Sequence, residues 1–176
     1  MNNLYNNMNI TQDYKGSNDV DYVCEYSDSD SFEHLPHDLV KQTYGVCFFE
    51  DKLVIGFGGP KNGWGLIGGS VEEGESLEET LRREIKEESN MKITSFLPIG
   101  YQKVTDTRDQ KFFYQLRYVC KVTPYGEFTI DGGDGVTEKA ITEIKLIDPN
   151  DYKQYFDWGE IGDRIIKRAI ELKKLL

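Results

Sequence analysis

The stretch that most constrains this chain runs from Gly68 to Met91, GGSVEEGESLEETLRREIKEESNM. It predicts a helix over about 76–89 with both ends specified. Ser76 can accept the amide of Glu79 while the Glu79 carboxylate accepts the amide of Ser76, the reciprocal arrangement of a capping box. Leu77, Leu81 and Ile85 recur every four residues and make one apolar stripe. Asn90 then stands where a helix ends in the left-handed conformation, which asparagine tolerates.

The acids of this helix fall into two groups. Glu78 and Glu79 occupy the first turn, where the helix dipole favours them, and each faces an arginine four residues on, Arg82 and Arg83. Glu84, Glu87 and Glu88 stand at i, i+3 and i+4, share one face and repel one another. Glu87 and Glu88 also lie in the last turn, where the dipole disfavours anions by roughly 0.3–1 kcal/mol. At about 100° per residue, Glu88 falls between Leu77 and Leu81, inside the apolar stripe. A carboxylate there is partly desolvated and needs a positive neighbour. A solvated charged face is the alternative reading, but such a face mixes signs and this cluster does not. Three convergent carboxylates suit a hard divalent cation with oxygen ligands, Mg²⁺ or Mn²⁺.

The spacing G-x5-E-x7-R-E-U-x-E-E-x-G-U, with U bulky and aliphatic, closely resembles the signature of the Nudix hydrolases. It runs here as Gly69, Glu75, Arg83, Glu84, Ile85, Glu87, Glu88, Asn90 and Met91. The one departure is Asn90 in place of glycine, a residue that still reaches a positive φ. The resemblance covers this box and extends, through the order of strands, to about 43–170. It implies an α+β chain folded as an α/β/α sandwich around a mixed β-sheet. It also implies that Glu84, Glu87 and Glu88 hold the metal, with the Gly68 carbonyl as a further ligand. Arg83 paired with Glu75 would orient those carboxylates. The implied reaction is cleavage of a pyrophosphate bond in a nucleoside diphosphate linked to another group, X. A general base completes such a site, and Glu84, Asp131, Asp134 and Glu138 all stand open for it. Glu138 is the preferred loop acid, being nearest to a strand that begins near Ala140. A nucleotide-sensing module without catalysis is the alternative function, against which the three retained glutamates weigh. A calcium-binding protein is excluded for want of a D-x-[DN]-x-[DN]-G loop.

Composition restricts the partners. With 31 acidic against 21 basic residues the formal charge is -10. Such a field repels nucleic acid and anionic lipid, so no broad nucleic-acid surface is expected, and an anionic small-molecule substrate needs a local cation. No apolar run approaches the roughly 20 residues of a membrane span. The N-terminus has no basic segment followed by an apolar one. Cys24, Cys47 and Cys120 are far apart and read as small buried hydrophobes in a reducing compartment. These features predict a cytoplasmic protein, and they leave room for a homodimer.

Residues 1–20, rich in asparagine and acid, are expected as a flexible tail dispensable for catalysis, followed by a single domain over 21–176. His34 and His37, around Pro36, read as exposed loop histidines. TYGVCFF and KLVIGF around Glu50-Asp51 predict a hairpin. KITSFLPIGYQKV and AITEIKLI are further strands. Lys111 to Thr123 alternates, with Phe112, Tyr114, Leu116, Tyr118, Cys120 and Val122 on one face and Gln115, Arg117, Lys121 and Thr123 on the other. A helix over about 159–176 closes the chain, apolar at Ile161, Ile165, Ala169 and Ile170. Trp64 could stack on a base, and Lys61 and Tyr114 complete the candidate substrate contacts. Lys52 and Arg117 are further residues able to meet phosphate, and Tyr44, Phe57 and Phe112 are aromatics that fit core as well as site.

Overall fold

A computed structural model describes residues 8–16, 19–59, 62–127 and 140–176. Lys61, Asp131, Asp134 and Glu138 lie outside the described residues. In chain order the elements are β1 (Asn9–Lys15), β2 (Asp21–Asp28), a single 3₁₀ turn (His37–Leu39), β3 (Val40–Phe49) and β4 (Lys52–Gly58). There follow β5 (Gly63–Gly65), β6 (Ile67–Ser70), α1 (Leu77–Ser89), β7 (Met91–Asp106) and β8 (Phe112–Pro124). Strand β9 (Ile141–Ile147), a 3₁₀ segment (Pro149–Gln154) and α2 (Gly159–Lys173) complete the chain.

The strands make one mixed sheet in the order β1-β2-β7-β8-β3-β4-β5, with β6 added to β3 and β9 to β4. Among the described residues only the β3–β8 pairing is parallel. Helix α1 covers one face, where Leu81 and Ile85 pack with Cys47, Val54, Ile67, Leu116 and Cys120. Helix α2 covers the other, where Ile161, Ile165 and Ala169 pack with Val46, Phe48, Leu53 and Val119. The result is the expected α+β sandwich around a mixed sheet. The expected hairpin is present as β3–β4, closing at Phe49 and Lys52. All three cysteines are buried. No helix of the described residues is long and apolar enough to cross a membrane.

Three expectations change. Residues 9–15, assigned to the tail by composition, form edge strand β1, paired with β2 along its whole length. Ile10 and Tyr14 pack against the core beneath α2, and Gln12 Nε2 donates to the Trp158 carbonyl at 3.2 Å. A polar segment cannot build a core, yet it can add to an edge that supplies its backbone hydrogen bonds and buries alternate side chains. The polar face of strand β8 is solvated only at its end, where Thr123 is exposed. The strand lies between β7 and β3 with a helix over each side, so Val119 joins the core and Arg117 is only 5% exposed. In α2, Ile170 points outward while Ile166 and Leu172 are buried, so the apolar stripe turns by one residue. That helix is tied to the sheet by charge as well: Arg164 pairs with the buried Asp28, and Arg168 donates to the Ile99 carbonyl and to Asp30, both at 2.7 Å.

Candidate active site

Helix α1 begins and ends as its sequence dictates. The Ser76 oxygen accepts the Glu79 amide at 3.2 Å and Glu79 accepts the Ser76 amide at 2.8 Å. At the other end Asn90 adopts φ 52°, ψ 38°. The helix lies against β6, and two glycines there decide how closely. In the pairing with β3, Gly68 stands opposite Tyr44 and Gly69 opposite Thr43. Gly68 has φ 150°, and a side chain there would run into the Thr43 carbonyl oxygen. A Cβ on Gly69 would stand 2.5 Å from the Glu84 carboxylate. Gly69 is therefore the seat of Glu84.

The three box glutamates then meet different surroundings. Glu88 Oε2 accepts the Gly68 amide at 2.8 Å. Burial pushes its pKa up to about 8, against the pull of that amide and with the help of the Glu84 and Glu87 charges. Burial also raises the pKa of Glu84, and Arg83 opposes the shift. The position of Glu88 inside the apolar stripe, read from the helical wheel, is thus its position in the fold.

Arg83 organises the rest. It grips Glu75 through two parallel bonds, Nε to Oε1 at 2.6 Å and Nη2 to Oε2 at 2.9 Å. Its Nη1 donates to Glu84 at 2.9 Å and to Glu87 at 3.2 Å, and Nη2 also reaches the Ser70 carbonyl at 3.0 Å. Glu75 in turn accepts Thr80 Oγ1 at 2.8 Å, and the Arg83 bonds bring its pKa down to about 2. Two sequence expectations are corrected here. The carboxylate cluster has a basic partner, since Arg83 touches both Glu84 and Glu87. Arg83 does not pair with Glu79, which is held at the helix cap, whereas Glu78 and Arg82 do pair at 2.8 Å.

Among the described residues no three His, Cys, Asp or Glu side chains are gathered around a common point as in a metal centre. Glu84 and Glu87 turn to Arg83, and Glu88 to a backbone amide. The donor chemistry nevertheless fits a hard divalent ion. The oxygens are all carboxylate or carbonyl, and Glu88 is a half-buried acid with no cation bonded to it among the described residues.

The candidate substrate contacts are dispersed. The Trp64 ring meets the edges of Phe57 at 5.3 Å and Tyr155 at 5.8 Å, with Lys145 Nζ 4.9 Å over it. It belongs to a packed aromatic group beside β4 and β5. Tyr114 packs with Tyr101 and Phe112 on the α1 side of the sheet. Lys61 and Glu138 lie outside the described residues. The aromatic that does adjoin the box is Tyr44. Burial raises its pKa, and the charges of Glu88 and Glu84 are near enough to raise it further. The repeating pattern of β3 carries no signal for this role, because only the pairing with β6 brings Tyr44 to Gly68.

No curated protein matches the chain in sequence. Solved structures do resemble it. A mutant form of the Bacillus subtilis pyrophosphohydrolase BsRppH shares 18% identity over 91% of this chain and 96% of its own, with a TM-score of 0.66. A NUDIX hydrolase described from Listeria monocytogenes shares 12% identity over 77% of this chain and 94% of its own, with a TM-score of 0.59. The NUDIX domain of Shewanella oneidensis NrtR, solved with ADP ribose, shares 18% identity over 84% and 95%, with a TM-score of 0.58. The family model of the NUDIX domain matches residues 40–169, from the start of β3 into α2. With that match over most of its length, and with the box, sheet order and two covering helices in place, the chain belongs to the NUDIX family.

Proposed function

We propose that this protein is a divalent-metal-dependent pyrophosphohydrolase that cleaves the phosphoric anhydride of a nucleoside diphosphate linked to a further group. The observation that carries the reading is Glu88. It is a half-buried carboxylate, seated on the Gly68 amide beside two more carboxylates of the same helix, with no cation bonded to it among the described residues. Glu84, Glu87 and Glu88, with the Gly68 carbonyl, would hold Mg²⁺ or Mn²⁺. When bound, such an ion neutralises phosphate oxygens and lowers the pKa of a water. Arg83, anchored by Glu75 and the Ser70 carbonyl, bonds to Glu84 and Glu87 and would orient those two carboxylates. The proton of the attacking water goes to a carboxylate oxygen. Glu84 suits that role through its raised pKa, with Glu138 as the loop alternative.

The test is phosphate release from a nucleotide panel with Mg²⁺, comparing the wild type with Glu87→Gln. The panel spans deoxynucleoside triphosphates, ADP-ribose, nucleotide sugars, dinucleoside polyphosphates and 5′-triphosphate RNA. ADP-ribose is included because the S. oneidensis domain was solved with it. Turnover of at least one member, abolished by EDTA and reduced about a hundredfold or more in the variant, supports the reading. Tight binding of a member without turnover in any metal would instead identify a sensing module.

A further inference from the structure

The chain has six arginines. Five of them pair with a carboxylate: Arg82 with Glu78, Arg83 with Glu75, Arg108 with Asp106, Arg164 with Asp28 and Arg168 with Asp30. Arg117 has no carboxylate partner among the described residues, although it is only 5% exposed in a central strand. Its guanidinium lies 4.7 Å over the Tyr44 ring. Nη1 donates to the Leu116 carbonyl at 3.2 Å and Nη2 to Gln115 Oε1 at 2.7 Å. Gln115 in turn donates to Gln42 Oε1 at 2.6 Å. Nε has no acceptor among the described residues. Among the described residues, every group bonded to this cation or stacked on it is neutral.

Such an arrangement is costly. A buried ion without a counter-ion is destabilising, and an unsatisfied buried donor adds to that cost. Packing alone does not require arginine here, since a long apolar side chain could cover Tyr44 as well. The position supplies a reason. Arg117 and Gly68 both stand opposite Tyr44, one on each side, in neighbouring strands. The three residues form a row across β8, β3 and β6, with Arg117 and Gly68 about 10 Å apart at the usual strand spacing. Glu88 sits at the Gly68 end of that row. The Tyr44 ring therefore lies between a cation at one end and the carboxylate cluster at the other. On a chain of net charge -10 this is the local cation that a polyanionic substrate needs.

We propose that Arg117, backed by Tyr44 and oriented by Gln115, is a second anion-binding point of this site, receiving a phosphate of the substrate other than the one presented to the glutamates. The proposal rests on the pyrophosphohydrolase reading only for the identity of the substrate. Within that reading it selects substrates whose X group is itself anionic, a polyphosphate chain rather than a neutral sugar. The phosphates at the glutamates are addressed there, and an unpaired guanidinium one strand beyond Tyr44 calls for a further negative group.

The test is equilibrium binding of inorganic tripolyphosphate to the full chain in EDTA, by calorimetry, together with thermal unfolding of each variant without ligand. Arg117→Met should weaken binding at least tenfold and melt no lower than the wild type, because removing an uncompensated buried ion is neutral or stabilising. Arg117→Lys, which keeps the charge and loses the fork, should weaken binding severalfold. The proposal is overturned if the wild type does not bind tripolyphosphate, or if Arg117→Met binds as the wild type does. It is also overturned if Arg117→Met melts lower with unchanged affinity, which marks a structural cation. Should Arg117→Met not fold, wild-type affinity in Arg117→Lys overturns it. Phosphate release from nucleotides with Mg²⁺ is read separately. Its absence defeats the enzymatic reading while leaving Arg117-dependent binding in place.

Discussion

Glu88 makes the metal-free protein sensitive to alkaline conditions in a way a single substitution can isolate. Its pKa rises from 4.5 to about 8 on folding, chiefly through burial. A carboxylate raised in this way binds its proton more tightly in the folded state, so the folded state gains protons relative to the unfolded one between those two values. Stability therefore falls as pH rises from about 4.5 to about 8, the opposite of the usual acid-labile carboxylate. At about 1.4 kcal/mol per pH unit, the loss between pH 5 and pH 8 is about 3 kcal/mol. For a chain of this size that corresponds to roughly 6–12 °C in melting temperature. Glutamine at position 88 keeps the shape, still accepts the Gly68 amide and cannot ionise. Thermal unfolding in EDTA at pH 5 to 8 should show the two proteins diverging by that amount, with Glu88→Gln the more stable at pH 8. Mg²⁺ should raise the wild type at pH 8 and leave the variant nearly unmoved. Parallel profiles for the two proteins, or a wild type more stable than the variant at pH 8 without metal, would refute the burial argument.

Other outcomes follow from the same geometry. Gly69→Ala places a methyl on the Glu84 carboxylate, so turnover should fall at least tenfold, about 1.4 kcal/mol, while the circular dichroism spectrum stays unchanged. Glu75→Ala releases Arg83 from its bidentate partner; kcat should fall while metal-free melting changes little, and Glu75→Asp should recover only part of the rate. Deleting residues 1–20 removes β1 and uncovers the core side of Ile10 and Tyr14. The melting temperature should drop by an amount equivalent to roughly 2 kcal/mol, and a truncated chain that melts as the full chain does would count against a structural role for β1.

The box helix is legible in the sequence down to its individual hydrogen bonds. Ser76, Glu79 and Asn90 act within one or two turns, and local chemistry of that kind needs no partner from elsewhere in the chain. The stripe that seats Glu88 among apolar residues follows from helical periodicity alone, and so does the sharing of one face by Glu84, Glu87 and Glu88. The hairpin β3–β4 and the strand character of β7, β8 and β9 are likewise local. What crosses the chain is decided only by the tertiary structure. Arg83 faces Glu79 on a helical wheel, but Glu75, Ser70 and Glu84 surround it once the loop folds back, and a bidentate carboxylate outcompetes one already held at the cap. Composition marks residues 9–15 as tail, yet the free edge of β2 takes them up, because an unpaired strand edge gives any extended segment its backbone partners. Arg117 falls on the polar side of an alternating strand, which reads as solvent, yet the strand pairing that sets it beside Tyr44 leaves it 5% exposed. Alternation tells which residues share a side of the sheet. Whether that side meets water, a helix or a substrate depends on what the rest of the chain lays over it, and no local pattern records that.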